Sequence, residues 1–288
     1  MRKLGEMLTG ATRGLCSSKT GALPLNGTPA IDNAPPRQTA TPHPLLCAIT
    51  DSGVVRRSNQ DTCRVARDQD AFLVADGMGG EQSGEIASLI AAEAFMDLSA
   101  KIRSSPALLR CVFEQAQRHV LERAKTESKC AGMGTAVVVA ALDGDLLYVG
   151  HLGDARAYLS HGDDLVRLTN DHSTIGRAVL RGDLSWEQAR LHPGRSTLYK
   201  AIGFEGQAQP DFSSVRITPG DRLLLCSDGL WDELPDSEIR DVLTSEGTIC
   251  ELAHILLNRA LAAGGHDNIT VVLYEHRCTA GRNEVPRS

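Results

Sequence analysis

Ala71-Phe72-Leu73-Val74-Ala75-Asp76-Gly77-Met78-Gly79-Gly80 runs an apolar stretch into an aspartate and then sets three glycines within four positions. The apolar run predicts a buried strand. The Asp-Gly step predicts a turn at its end. A carboxylate on the end of a rigid strand can be aimed at a metal ion. The glycines let a backbone carbonyl or amide come close to an ion or a phosphate. An Asp-Gly after a strand is by itself usually just a turn. Here the pattern returns late in the chain, where Leu223-Leu224-Leu225-Cys226-Ser227 leads into Asp228-Gly229.

Working outward, Cys47-Ala48-Ile49-Thr50 reads as a strand and Asp51 to Asp61 as a polar loop. A second strand is expected over Thr62 to Arg67, making a tight antiparallel meander with the strand at Ala71. Beyond the glycines, Ser83 is the expected helix cap. Ile86, Ile90, Ala94 and Leu98 form one apolar stripe. Pro106 opens a second helix, with Leu109, Val112, Phe113, Ala116 and Val120 on one face. Strands follow over Ala136 to Ala141, Leu146 to His151 and Ala155 to Leu159, with a hairpin turn at Asp143-Gly144-Asp145. Asp163-Asp164 falls in the next turn. Residues 169 to about 203 read as a flap with two short helices, one around Ile175 to Leu180 and one around Trp186 to Ala189. Ile249 to Ala260 carries a clear helical stripe, stopped by Gly264-Gly265, and Ile269 to Tyr274 is the last strand.

The helices are grouped rather than alternating with strands, which argues against a parallel βαβ sheet. The order fits an α+β architecture: a four-layer α-β-β-α sandwich of two antiparallel sheets flanked by helices. Residues 1–43 are rich in Thr, Pro, Gly, Ala and Ser and read as a flexible tail, either plain linker or a docking arm. The folded domain is expected over 44–276, with a polar C-terminal tail over 277–288.

The 288 residues carry 42% hydrophobic and 23% charged residues, an ordinary globular composition. A net charge of −6 does not suit a nucleic-acid footprint. No segment is long and apolar enough for a membrane span, and Met1 to Cys16 lacks the apolar core of a secretory signal. The eight cysteines form no Cys-x-x-Cys pair and no zinc spacing, which suits a reducing, cytoplasmic setting. None is followed six positions later by Arg, so the thiol-phosphatase arrangement is absent.

Asp61, Asp76, Asp154, Asp228 and Asp267 all stand at strand ends or in short loops beside apolar runs. Carboxylates brought together repel, because like charges cannot all ionise cheaply. A divalent cation removes that repulsion, and oxygen-only ligands suit Mg²⁺ or Mn²⁺ better than zinc or copper.

The chain contains Asp51-Ser-Gly-Val-Val-Arg56-Arg-Ser-Asn59-Gln60-Asp61, Val74-Ala-Asp76-Gly77-Met-Gly-Gly80, Gly132-Met-Gly134-Thr135, Gly153-Asp154-Ala-Arg156, Cys226-Ser-Asp228-Gly229-Leu230 and Asp267-Asn268-Ile-Thr-Val-Val272. By these it resembles the bacterial members of the metal-dependent PP2C (PPM) Ser/Thr protein phosphatases. These six motifs occur in the family's order over roughly residues 45 to 275. The resemblance implies that Asp76 bridges two Mn²⁺ or Mg²⁺ ions and that the Gly77 carbonyl ligates one of them. Asp228 and Asp267 would complete the other shell, and Asp61 would bind a metal or hold its waters. Asp154 would serve a third, weaker ion. Arg56 would grip the substrate phosphate with its planar fork; the neighbouring Arg57 could compete, and the spacing to Asn59 favours Arg56.

The implied reaction is in-line attack of a dimetal-bridged hydroxide on phosphoserine or phosphothreonine. Met78 stands where many eukaryotic relatives have His, so a metal-bound water is the expected proton donor; His192 in the flap reads equally well as a structural residue. Gln60 replaces a common Glu and can still accept a hydrogen bond. The implied partners are phosphorylated proteins, including a Ser/Thr kinase and its substrates, and the protein itself is expected to be a monomer. A phosphatase-like scaffold without turnover is the alternative, and the intact carboxylate set counts against it.

Overall fold

A computed structural model describes residues 45–66, 70–102, 107–206 and 208–277. Among these residues ten strands form two five-stranded antiparallel sheets. The first contains β1 (Leu46–Asp51), β10 (Ile269–Glu275), β9 (Arg222–Cys226), β6 (Arg156–His161) and β7 (Asp164–Arg167), in that spatial order. The second contains β2 (Asp61–Ala66), β3 (Ala71–Met78), β4 (Gly134–Asp143), β5 (Leu146–Leu152) and β8 (Asp211–Arg216). Phe72, Val74, Val138, Leu147, Leu225 and Val272 fill the space between them. Their alternation along each strand places every second side chain in this layer.

Helices cover both outer faces, as the element order requires. Against the second sheet lie α1 (Gly80–Ile102) and α2 (Leu108–Thr126). The tightest face of α1 is Ala87, Ala91, Ala94 and Phe95, whereas Ile86 and Leu98 of the expected stripe are only half-buried. A helix wedged between a sheet and a second helix buries a wide arc, and its small residues take the closest approach. The α2 face is as expected, with Leu109, Val112, Phe113, Ala116 and Val120 buried. Pro106 lies outside the described residues. Against the first sheet lie α5 (Asp228–Trp231), α6 (Asp236–Leu243) and α7 (Ile249–Ala263). A Thr248–Glu251 capping box starts α7 and Gly264 closes it. The flap carries α3 (Thr174–Leu180) and α4 (Trp186–Arg190), near the expected positions.

Three local expectations change. Asp76-Gly77 is not a turn: β3 runs on to Met78, with Asp76 opposite Ala136 and Gly77 opposite Thr135. The bend comes at Gly79 and Gly80, whose φ values are +119° and +42°. Ser83 is not a cap but lies inside the first turn of α1, where its hydroxyl donates to Lys129 O at 2.7 Å. Asp164 begins β7, and the turn is made by Gly162-Asp163.

Strands β7 and β8 carry little apolar pattern and lie at sheet edges. Backbone pairing rather than burial defines them, so a hydrophobic periodicity does not reveal them. Helix α6 is not among the expected elements, although its signals stand in the sequence: Pro235 precedes it, Asp236 and Glu238 occupy its first turn, and Ile239, Val242 and Leu243 are buried.

Candidate metal centre and substrate cleft

The two sheets bring the five aspartates to one end of the sandwich. Asp61 starts β2 directly opposite Asp76 on β3. Its Oδ2 accepts from Ser227 Oγ at 2.6 Å and from Thr270 Oγ1 at 2.7 Å, both on the other sheet's side. One carboxylate thus ties β2 to the β9 end and to β10. Burial pushes Asp61 up to about 7 despite those two donors.

Asp76 and Asp228 reach the same point from different backbones. Asp76 is still in a strand, while Asp228 is the first residue of α5. The two sequence repeats are therefore not structural repeats. Asp76 is raised well above the carboxylate range by burial and then by Asp228, Asp61, Asp154 and Asp267. Asp228 is raised likewise, by burial and then by Asp154 and Asp267. Asp154 is 4% exposed, and burial with the neighbouring Asp171 takes it up to about 7 against the pull of Arg156. A set of carboxylates that hold one another protonated is the electrostatic signature of a place built for cations.

Gly77 is demanded by space rather than by φ. A Cβ there would lie 2.1 Å from Gly84 O and 2.5 Å from Gln60 O. The start of α1 and the end of the Arg56 loop are thus packed against the Gly77 backbone. Thr135 Oγ1 donates to Asp76 O at 2.8 Å and steadies the same segment.

The loop before β2 is organised by Asn268. Its Nδ2 donates to Ser52 O and Ser58 O, both at 2.9 Å, and its Oδ1 accepts from Gln60 N at 2.8 Å. Gly53, at φ +73°, lies so close that a Cβ would sit 2.2 Å from Asp267 O. Val54 N donates to Gly265 O at 2.8 Å. The loop carrying Arg56 is therefore built onto the residues flanking Asp267. Arg56 itself is half exposed, and its Nη2 lies 2.6 Å from Asp267 Oδ2. Gln60 Nε2 donates to Gly80 O at 2.7 Å.

A cleft of about 740 Å³ opens over these groups. Asp76, Gly77, Asp154, Asp228 and Asp267 line it together with Arg56 and Arg57. Asp61 sits behind Asp76. Ser196 and Leu198 of the flap form part of the opposite wall, and His266 lies at the rim, its Nδ1 2.7 Å from Glu233 Oε1. No pattern in the sequence marks Ser196 or Leu198, because the flap's return to the cleft is set by tertiary contacts. His192 is exposed, absent from the cleft lining, and takes Gly194 N–H on Nδ1 at 3.0 Å. That is a structural role.

A second cluster, His151, His172 and Asp211, brings nitrogen and oxygen donors together. Its geometry does not suit an ion. The two imidazoles are stacked, centroids 4.7 Å apart and planes within 14°, so their in-plane lone pairs run parallel instead of converging. His172 Nδ1 already accepts the Gly153 N–H at 3.1 Å, which places the ring's own proton on Nε2. Nε2 is 3.3 Å from Asp211 Oδ2 but off the line of a hydrogen bond. Burial lowers His172 to about 4 and lowers His151 as well, so both rings are neutral.

The family model for protein phosphatase 2C matches residues 54–263. The serine/threonine phosphatase Stp of Listeria monocytogenes is 34% identical over 239 residues, spanning 80% of this chain and 95% of that one. The crystal structure of the Mycobacterium tuberculosis serine/threonine phosphatase PstP/Ppp aligns with a TM-score of 0.75 at 32% identity, covering 81% of this chain and 98% of that one. The PstP catalytic domain in complex with two manganese ions aligns with a TM-score of 0.72 at 30% identity, covering 80% and 96%. The chain belongs to the protein phosphatase 2C family, whose metal dependence the carboxylate centre fits.

Proposed function

We propose that this protein removes phosphate from phosphoserine and phosphothreonine in proteins at the cleft lined by Asp76, Asp228 and Arg56. The observation that carries the reading is the convergence of Asp61, Asp76, Asp154 and Asp228, all raised by burial and Asp76 and Asp228 also by the others, beside an arginine in an open cleft. Two Mn²⁺ or Mg²⁺ ions fit this all-oxygen donor set. Asp76, the Gly77 carbonyl, Asp228 and Asp267 would hold them, and Asp61 would bind an ion or hold its waters. Asp154 would serve a third, weaker ion. When bound, such ions activate water and neutralise charge on a phosphoryl group.

The chain's own groups account for the rest. Arg56 donates from a planar fork that matches two phosphate oxygens, and its half-exposed position at the cleft lets it meet an entering phosphate. Asn268 and Gly53 hold the Arg56 loop at a fixed distance from Asp267. Asp61 keeps its place through Ser227 and Thr270, so the centre does not depend on a flexible side chain. No thiol nucleophile is required.

The phosphatase domain spans residues 44–276; residues 1–43 and 278–288, expected to be tails, lie outside the described residues. It acts as a cytoplasmic monomer on the products of a Ser/Thr kinase. Among the described residues no helix is long and apolar enough to cross a membrane. No observation favours the turnover-free scaffold.

The test is hydrolysis of p-nitrophenyl phosphate and of a phosphothreonine peptide by wild type and Asp228→Asn, with Mn²⁺, with Mg²⁺ and with EDTA. Metal-dependent turnover lost in the variant is the expected result. A wild type silent with both metals would sink the reading.

A further inference from the structure

Asp154 sits in a short turn between Gly153 and Arg156, and the dipeptide Asp171-His172 grips that turn on both sides. His172 N donates to Gly153 O at 2.9 Å, and His172 Nδ1 accepts Gly153 N–H at 3.1 Å. Asp171 takes Arg156 in a two-bond fork, Nε to Oδ1 at 2.9 Å and Nη2 to Oδ2 at 2.6 Å. Arg156 Cζ lies over the Trp231 ring, 3.6 Å from its centroid, and Trp231 Nε1 donates to Asp154 O at 3.2 Å. Arg156, Asp171 and His172 are all buried. Gly153 itself is at φ +109° with Ala136 directly beneath it, so the turn has a single way to lie.

The same dipeptide also holds the flap. His172 O accepts Tyr199 N–H at 2.9 Å, Ser173 bridges to Leu198, and Ser173 caps α3. Leu198 lines the cleft. His172 therefore joins the Asp154 turn to the flap wall through its amide, its ring and its carbonyl.

We propose that Asp171 and His172 are positioning residues that aim the Asp154 carboxylate into the centre and fix the flap wall relative to it. This rests on the reading of Asp154 as the ligand of the weakest cation site. Outer groups that orient a ligand commonly change metal affinity by about 10–100-fold when removed. His172→Leu leaves the Gly153 N–H buried without an acceptor. His172→Asn offers an amide oxygen near the place of Nδ1 and keeps the bond.

The experiment is Mn²⁺ titration of the full chain by calorimetry, with circular dichroism and thermal melting in EDTA as the control for folding. Asp154→Asn abolishes or weakens the weakest Mn²⁺ site by about tenfold or more. His172→Leu weakens that same site by about tenfold and leaves the tighter sites unchanged. His172→Asn returns it to within about threefold of wild type. Asp171→Asn, which keeps the side-chain shape, gives the same loss and stands in should His172→Leu not fold. A weakest site altered by Asp154→Asn but untouched in a folded His172→Leu and in Asp171→Asn would overturn the positioning role alone. An isotherm unchanged in Asp154→Asn would overturn the reading of Asp154 beneath it.

Discussion

Arg56 Nη2 and Asp267 Oδ2 are 2.6 Å apart, so the arginine expected to hold phosphate is bonded to an aspartate expected to hold a metal. Oδ1 of that aspartate accepts the Asn268 N–H at 2.8 Å. A cation held by Asp267 would therefore have to share Oδ2 with the arginine. Arg56→Ala should act in opposite directions on the two ligands. Losing a charge-assisted fork weakens phosphate binding by about 1.5–3 kcal/mol, about 10–150-fold in the KM for a phosphopeptide. Freeing Asp267 from a half-exposed ion pair tightens Mn²⁺ by at most about 1 kcal/mol, up to about fivefold. Steady-state kinetics and calorimetry read the two separately, and Mn²⁺ affinity falling with the variant would contradict the competition.

The carboxylate centre should make the cation-free protein sensitive to rising pH. Asp61 and Asp154 are raised from about 3.8 to about 7. The folded state therefore binds protons that the unfolded state has released. That contribution is full below about 3.8 and is lost as pH climbs through about 7. The melting temperature in EDTA should fall from about pH 5 to about pH 8, and saturating Mn²⁺ should remove the decline. A melting temperature in EDTA that rises over this range would show that the carboxylates are not destabilising one another.

Replacing one member of the cluster should relieve the rest. Asp76→Asn keeps the shape of a residue that burial and four other aspartates force to take up a proton. The variant should melt higher than wild type in EDTA near neutral pH, by about 2–4 °C per kcal/mol of that protonation cost removed. It should also lose the stabilisation that Mn²⁺ gives wild type. Differential scanning calorimetry with and without Mn²⁺ checks both halves.

Gly77→Ala should damage the centre through backbone contact alone. Its Cβ would meet Gly84 C at 2.4 Å and Gly84 O at 2.1 Å, atoms with no rotamer to give way. Overpacking of this kind costs about 1–3 kcal/mol. Gly84→Ala meets Gly77 from the other side at 2.7 Å and should give a similar loss. A lower melting temperature for both, with weakened Mn²⁺ binding, is the expected result of thermal melts and calorimetry. Normal behaviour of either variant would mean that the β3–α1 contact is not needed.

Thiol reagents should leave turnover intact. Burial pushes Cys47 up to about 12 and Cys63 up to about 11, and Cys226 higher still. Thiolate, not thiol, is the reactive form. Treatment with iodoacetamide near neutral pH should therefore not change p-nitrophenyl phosphate hydrolysis, and rapid inactivation would point to a reactive cysteine in the cleft.

The first meander, the two long helices, the last helix and strand, the two-sheet class and the five aspartates beside apolar runs were legible from the chain itself, whereas α5 and α6 were not among the expected elements. Burial periodicity and apolar runs ending in Asp are local, and local patterns survive without a fold. The sequence also made Asp76 and Asp228 look alike, and only the tertiary structure separates them. One stays in the β3 ladder and the other opens α5, because the partner strand β4 continues past Asp76. The same holds for β7 and β8, edge strands fixed by backbone pairing, which side-chain pattern does not encode. The bond between Arg56 and Asp267 and the clasp of His172 on Gly153 join residues 211 and 19 positions apart. Their existence depends on how two sheets and a flap meet, and long-range proximity of that kind is a property of packing rather than of any one stretch of chain.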